Sequence, residues 1–158
     1  MKYCIINDLM PFEFHDSAWK LETFEAGALA LRVKELNLHR DAAQNPCGCD
    51  MEIEEARMTF EGVQILTHTP SVRWKDDAAG ISRPVEAIVT YTGEPAAERL
   101  LHELRRGINV FSMEETNGRC KICACGDDPY FEAEFSAETV RIEWNALRGP
   151  AWYESRRQ

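Results

Sequence analysis

The chain has 158 residues, 44% hydrophobic and 28% charged, with 27 acidic against 18 basic side chains and a formal net charge of −9. That length suits one domain burying about two-thirds of its unfolded surface, so folding requires neither a metal nor disulfides. The acidic balance speaks against nucleic-acid binding, because phosphate backbones are repelled, and no run approaches the ~20 apolar residues of a membrane-spanning helix.

The first residues, Met1 to Asp8, combine one positive charge with a very short apolar run. A secretory signal has a longer apolar region, so a cytoplasmic protein with reduced thiols is expected. Most of the chain alternates apolar and polar residues at period two, the pattern of half-buried strands. Early strands are expected near Tyr3–Ile6, Met10–Phe14 and Ala18–Phe24. Leu29, Leu31 and Val33 continue the alternation, and the phase slips before Leu36 and Leu38. A slip of one residue marks a bulge or bend.

Asp41 to Asp50 reads as a loop containing Cys47-Gly48-Cys49. Met51 and Ile53 are followed by Ala56, Met58 and Phe60 in shifted phase, which places a bulge at Glu54-Glu55. A turn at Glu61-Gly62 would pair Phe60 with Val63 and Met58 with Ile65 as a hairpin. Val72 to Ser82 reads as a polar loop with its tip at Asp76–Gly80. Val85 to Tyr91 is apolar on nearly both faces, the pattern of a central strand.

One amphipathic helix is expected over 95–106. Pro95 suits its first turn and Gly107 its C-terminal cap, while Arg105 and Arg106 complement its dipole. Ala97, Leu100, Leu101 and Leu104 form its apolar stripe, leaving Glu98, Arg99, His102 and Glu103 for solvent. Asn117-Gly118 is a strong hairpin turn. Folding about it pairs Met113 with Ile122, Phe111 with Ala124, Glu115 with Cys120, and Glu114 with Lys121 as a cross-strand charge pair. Two further strands carry Phe131, Ala133 and Phe135, then Val140, Ile142 and Trp144. The C-terminal Trp152-Tyr153 is expected to dock and Arg156-Arg157-Gln158 to fray. The fold class is α+β, predominantly antiparallel β, with about nine or ten strands in a sandwich or strongly curled sheet.

Five of the six cysteines fall in two clusters, Cys47 with Cys49 and Cys120 with Cys123 and Cys125. Clustered thiolates can share a soft metal such as zinc. The hairpin sends Cys120 to the core and Cys123 and Cys125 to the opposite face. A metal site would therefore use Cys47, Cys49, Cys123 and Cys125. No phosphate loop, G-x-S-x-G elbow, zincin helix or EF-hand is present, so no catalytic motif is assigned. His39-Arg40-Asp41 and His15-Asp16 set imidazole beside carboxylate in sequence only. Asp50, Glu52 and Glu54 read as the wet face of a strand, and His68 as a structural residue.

Trp74, beside Arg73 in a polar loop, has the composition of an interface anchor. The leading expectation is a non-catalytic module that binds a protein, a basic one by charge, through Trp74 and Arg73. A thiolate metal or redox protein is the alternative, and a ligand binder or enzyme with a cleft the further one. An open sheet edge would also permit a homodimer.

Overall fold

The structure, a computed structural model, describes residues 1–154. The expected fraying of Arg156-Arg157-Gln158 lies outside the described residues. The first strands are Tyr3–Ile6 (β1), Phe12–Glu13 (β2), Ser17–Glu25 (β3), Ala28–Lys34 (β4), Asn37–Leu38 (β5), Met51–Ile53 (β6), Ala56–Glu61 (β7) and Gln64–Pro70 (β8). Three short strands come next, Trp74–Asp76 (β9), Ser82–Pro84 (β10) and Tyr91–Thr92 (β11), and then the helix Glu94–Arg106 (α1). The chain continues through Ile108–Thr116 (β12), Arg119–Cys125 (β13), Phe131–Ser136 (β14), Thr139–Trp144 (β15) and Leu147–Pro150 (β16).

Ten strands form one antiparallel sheet in the order β1-β15-β7-β4-β3-β12-β13-β14-β8-β11. The sheet curls until its inner faces meet: Phe60 of β7 touches Phe135 of β14 edge to face, with ring centroids 5.0 Å apart. Trp19, Leu31, Met58, Phe131 and Ile142 fill the space between, each at most 1% exposed. A four-stranded sheet, β16-β6-β5-β2, closes one side of this core, and its Phe12 meets Trp144 at 5.8 Å. Among the described residues, no helix is long and apolar enough to cross a membrane.

The expected phase slips mark passages between the two sheets. After β4 the chain turns through Glu35, at φ 57°, and enters the small sheet at β5. It returns at Glu54-Glu55, so Met51 and Ile53 lie in the small sheet and Ala56, Met58 and Phe60 in the large one.

The Glu61-Gly62 hairpin does not form. Strand β7 pairs with β4 and β15, whereas β8 pairs with β14 and β11. Both edges of β7 are occupied, and Gly62-Val63 carries the chain from one half of the curled sheet to the other. Phe60 and Ile65 still face the core, from different halves.

The expected central strand at Val85–Tyr91 is also corrected. Only Tyr91 belongs to a strand, β11, and Val85, Ile88 and Val89 are exposed. Apolar composition gave no partner strand here, because the other side of β8 is taken by β14.

Helix α1 begins and ends as its composition implies, with Pro95 in its first turn and Gly107 at its C-cap. Its apolar stripe packs over β8 and β3. Glu103, expected to be solvated, is buried: its carboxylate accepts hydrogen bonds from the Asp127 N–H at 2.8 Å and the Asp128 N–H at 3.4 Å. This contact needs a glycine at 126, where an added Cβ would lie 2.3 Å from Glu103 Oε2.

The Asn117-Gly118 hairpin forms with Met113 opposite Ile122 and Glu115 opposite Cys120. Its register shifts between Val110 and Ser112, so Val110 rather than Phe111 pairs with Ala124. Phe111 bulges outward and stacks on Tyr130 at 6.2 Å. Lys121 lies opposite Glu114 but makes its ion pair with Glu132, at 2.8 Å.

Candidate functional site

Between Ser71 and Thr92 the chain leaves the large sheet as an arm. Its root is tied down by the Ser71 N–H to the Tyr130 carbonyl at 2.7 Å and by Thr69 and Thr90 hydroxyls 2.9 Å apart. Strands β9 and β10 pair as a two-stranded ribbon with Trp74 opposite Pro84. The tip is ordered by Asp77, whose carboxylate accepts from the Ala79 N–H at 2.9 Å, the Ile81 N–H at 3.1 Å and Arg83 at 3.0 Å. The two backbone bonds and then the guanidinium hold its carboxyl below the usual range. The Ser82 hydroxyl donates to Asp76. At the base, the Arg73 guanidinium lies 3.9 Å from Glu86 and the Val85 N–H donates to the Arg73 carbonyl at 2.8 Å.

Polar contacts thus fix the arm's backbone while its apolar side chains face water. Trp74 is 57% exposed and does not fold back on the core; Ile81, Val85, Ile88 and Val89 are exposed with it. Among the described residues, eleven large apolar side chains are exposed, and five fall in these sixteen positions, 74–89. That density of exposed apolar side chains is higher than elsewhere among the described residues. The arm is electrically balanced: Arg73, Lys75 and Arg83 are matched by Asp76, Asp77 and Glu86.

The six cysteines are free. Cys47 and Cys49 sit together in the loop before β6, where Asn45 ties the backbone by donating to the Cys49 carbonyl at 3.0 Å and Cys49 Sγ lies 3.7 Å from Met51 Sδ. Cys123 and Cys125 share the outer face of β13, opposite Ser112 and Asn109. Cys120 faces the core, 3% exposed, and burial with the Glu115 charge pushes its thiol up to about 12. Among the described residues, no group of three or more His, Cys, Asp or Glu side chains is placed to hold a metal ion.

Two polar clusters form that sequence spacing did not indicate. Asp50, expected on a wet face, is buried. It accepts from the Arg40 N–H at 2.8 Å, the Tyr153 hydroxyl at 3.1 Å and His39 Nδ1 at 3.4 Å. Burial raises its pKa, but these bonds outweigh it and hold the carboxyl below its ordinary value. His39 is therefore oriented by Asp50, eleven residues away, and not by Asp41. The cluster ties the docked C-terminal segment to the small sheet. His15 does approach its neighbour Asp16, at 3.5 Å, with both side chains half-exposed.

The second cluster centres on His68, fully buried and stacked on Phe131 with ring centroids 4.9 Å apart. Neither ring nitrogen has a hydrogen-bond partner. Burial, with the nearby Arg99 charge, pushes its pKa down to about 4. Tyr91 and Arg99, the guanidinium 3.8 Å above the Tyr91 ring, flank the crevice it lines. An imidazole kept neutral in this way packs as an aromatic ring and is a poor proton carrier near neutral pH.

Comparison with protein-family models, curated proteins and solved structures finds no match.

Proposed function

We propose that this chain is a non-catalytic protein-binding module whose docking surface is the arm at 71–92, with Trp74 as central anchor and Arg73 at its base. The observation that carries the reading is the clustering of Trp74, Ile81, Val85, Ile88 and Val89 on a backbone already ordered by its own polar contacts. Preordering lowers the entropy lost on binding, and a tryptophan supplies large contact area at low conformational cost.

The partner is a basic protein. A net charge of −9 draws positive surfaces towards the molecule, while the arm itself is neutral. Salt then slows association, and the arm's apolar side chains set the dissociation rate. The test compares proteins captured by the wild-type chain, by Trp74→Ser with Ile88→Ser, and by Phe111→Ser on the outer face of β12. A basic protein captured by wild type and Phe111→Ser but lost from the arm variant supports the reading. Capture that is indifferent to the arm substitutions, or no capture, overturns it.

A further inference from the structure

The halves of the large sheet part where the chain turns from β14 into β15, leaving a cavity of about 250 Å3. Its apolar wall is Leu9, Phe60, Cys120 and Val140, and its polar wall includes Glu115 and Glu138. Lysine, arginine and histidine are absent from the lining, and neither glutamate has an ion-pair partner among the described residues.

Three features shape this lining, in which Glu115 and Glu138 are exposed. Glu115 Oε1 accepts the Gly118 N–H at 2.7 Å, which fixes one oxygen and leaves the other. The Glu138 side chain lies across Gly62, where an added Cβ would stand 2.5 Å from Glu138 Cγ; only a residue without a side chain admits it. The Cys120 thiol is nine-tenths buried at the wall, without a hydrogen-bond partner among the described residues, and stays protonated, so that wall is uncharged.

An apolar wall beside uncompensated carboxylates selects a ligand with a hydrocarbon end and a positive end. An anion meets repulsion there, and a neutral ligand forgoes the Coulomb attraction. The volume lies below the roughly 300–1,000 Å3 of drug-sized sites, so the ligand is small. We propose that this cavity binds a small amphipathic ammonium ion, its hydrocarbon end against Leu9 and Val140, over the buried Phe60 and Cys120, and its ammonium donating to Glu115 and Glu138. The site uses none of the arm's residues and stands apart from the docking reading.

The test titrates the whole chain near neutral pH with n-hexylamine hydrochloride, hexan-1-ol and sodium hexanoate. Nuclear magnetic resonance follows Phe60 and Val140. Hexylammonium is expected to shift both signals saturably, hexanol to bind about tenfold more weakly, and hexanoate to leave the signals unmoved. Glu115→Gln with Glu138→Gln keeps the oxygen that receives the Gly118 N–H. This variant should hold its melting temperature, retain the hexanol response and lose about tenfold in amine affinity. Three results overturn the proposal: no saturable shift with the amine, equal responses to amine and hexanoate, or unchanged amine affinity in the double variant.

Discussion

Phe60 and Phe135 meet edge to face at 82°, although four strands lie between theirs in the sheet order. Their contact records how far the sheet has curled, and it joins the two halves of the core. Replacing either by Ala leaves a cavity in close-packed surroundings and is expected to cost about 3–5 kcal/mol. The pair should couple by about 0.5–1.5 kcal/mol in a double-mutant cycle followed by urea denaturation. Strict additivity would show that the two halves do not share this contact.

Glu103 holds the turn between β13 and β14 through two backbone N–H groups. Glu103→Ala leaves these donors short of an acceptor and should destabilise the fold by about 1–3 kcal/mol. Gly126→Ala should do comparable damage, because its Cβ would collide with the same carboxylate. Amide exchange at Asp127 and Asp128 should accelerate in both variants.

His68 gives stability a particular pH dependence. Its folded pKa of about 4 lies below the ordinary 6.5, so between these values the unfolded chain binds the proton and the folded chain does not. The stability linked to His68 is full above about 6.5 and falls as pH drops towards about 4, by an amount on the order of 3 kcal/mol. His68→Leu should flatten the stability profile in that window relative to wild type. It should not lower stability near neutral pH, because it removes two unpartnered buried nitrogens. Equal slopes in the two proteins would count against a neutral buried imidazole.

Trp74→Ser and Ile88→Ser remove side chains that make no core contact, so each should change stability by at most about 0.5 kcal/mol. A loss well beyond that in thermal unfolding would mean that the arm packs on the fold rather than facing a partner.

Period-two alternation assigns Met58, Phe60, Ile122, Phe131 and Trp144 to the core, and the structure buries all of them. Alternation tells which way a side chain points and not which strand lies alongside, which is why the β7–β8 link has the pattern of a hairpin without being one. The Phe111 bulge is hidden for a related reason, since one extra residue changes register without changing composition. Val85–Val89 looks like core because hydrophobicity favours burial but supplies no vacant sheet position. The exposure of Trp74 accords with its charged neighbours. Glu115 and Glu138 are not legible in the sequence, because only closure of the sheet brings them to one cavity, and Asp50 meets His39 only through the small sheet.

The docking reading is tested most directly by placing a photoreactive benzoylphenylalanine at position 74 and, as a control, at position 111, then irradiating each full chain in native extract. One defined adduct with a basic protein is expected from position 74, absent from position 111 and formed more slowly as salt is raised. No adduct from position 74, or the same adducts from both positions, would contradict a docking surface centred on Trp74.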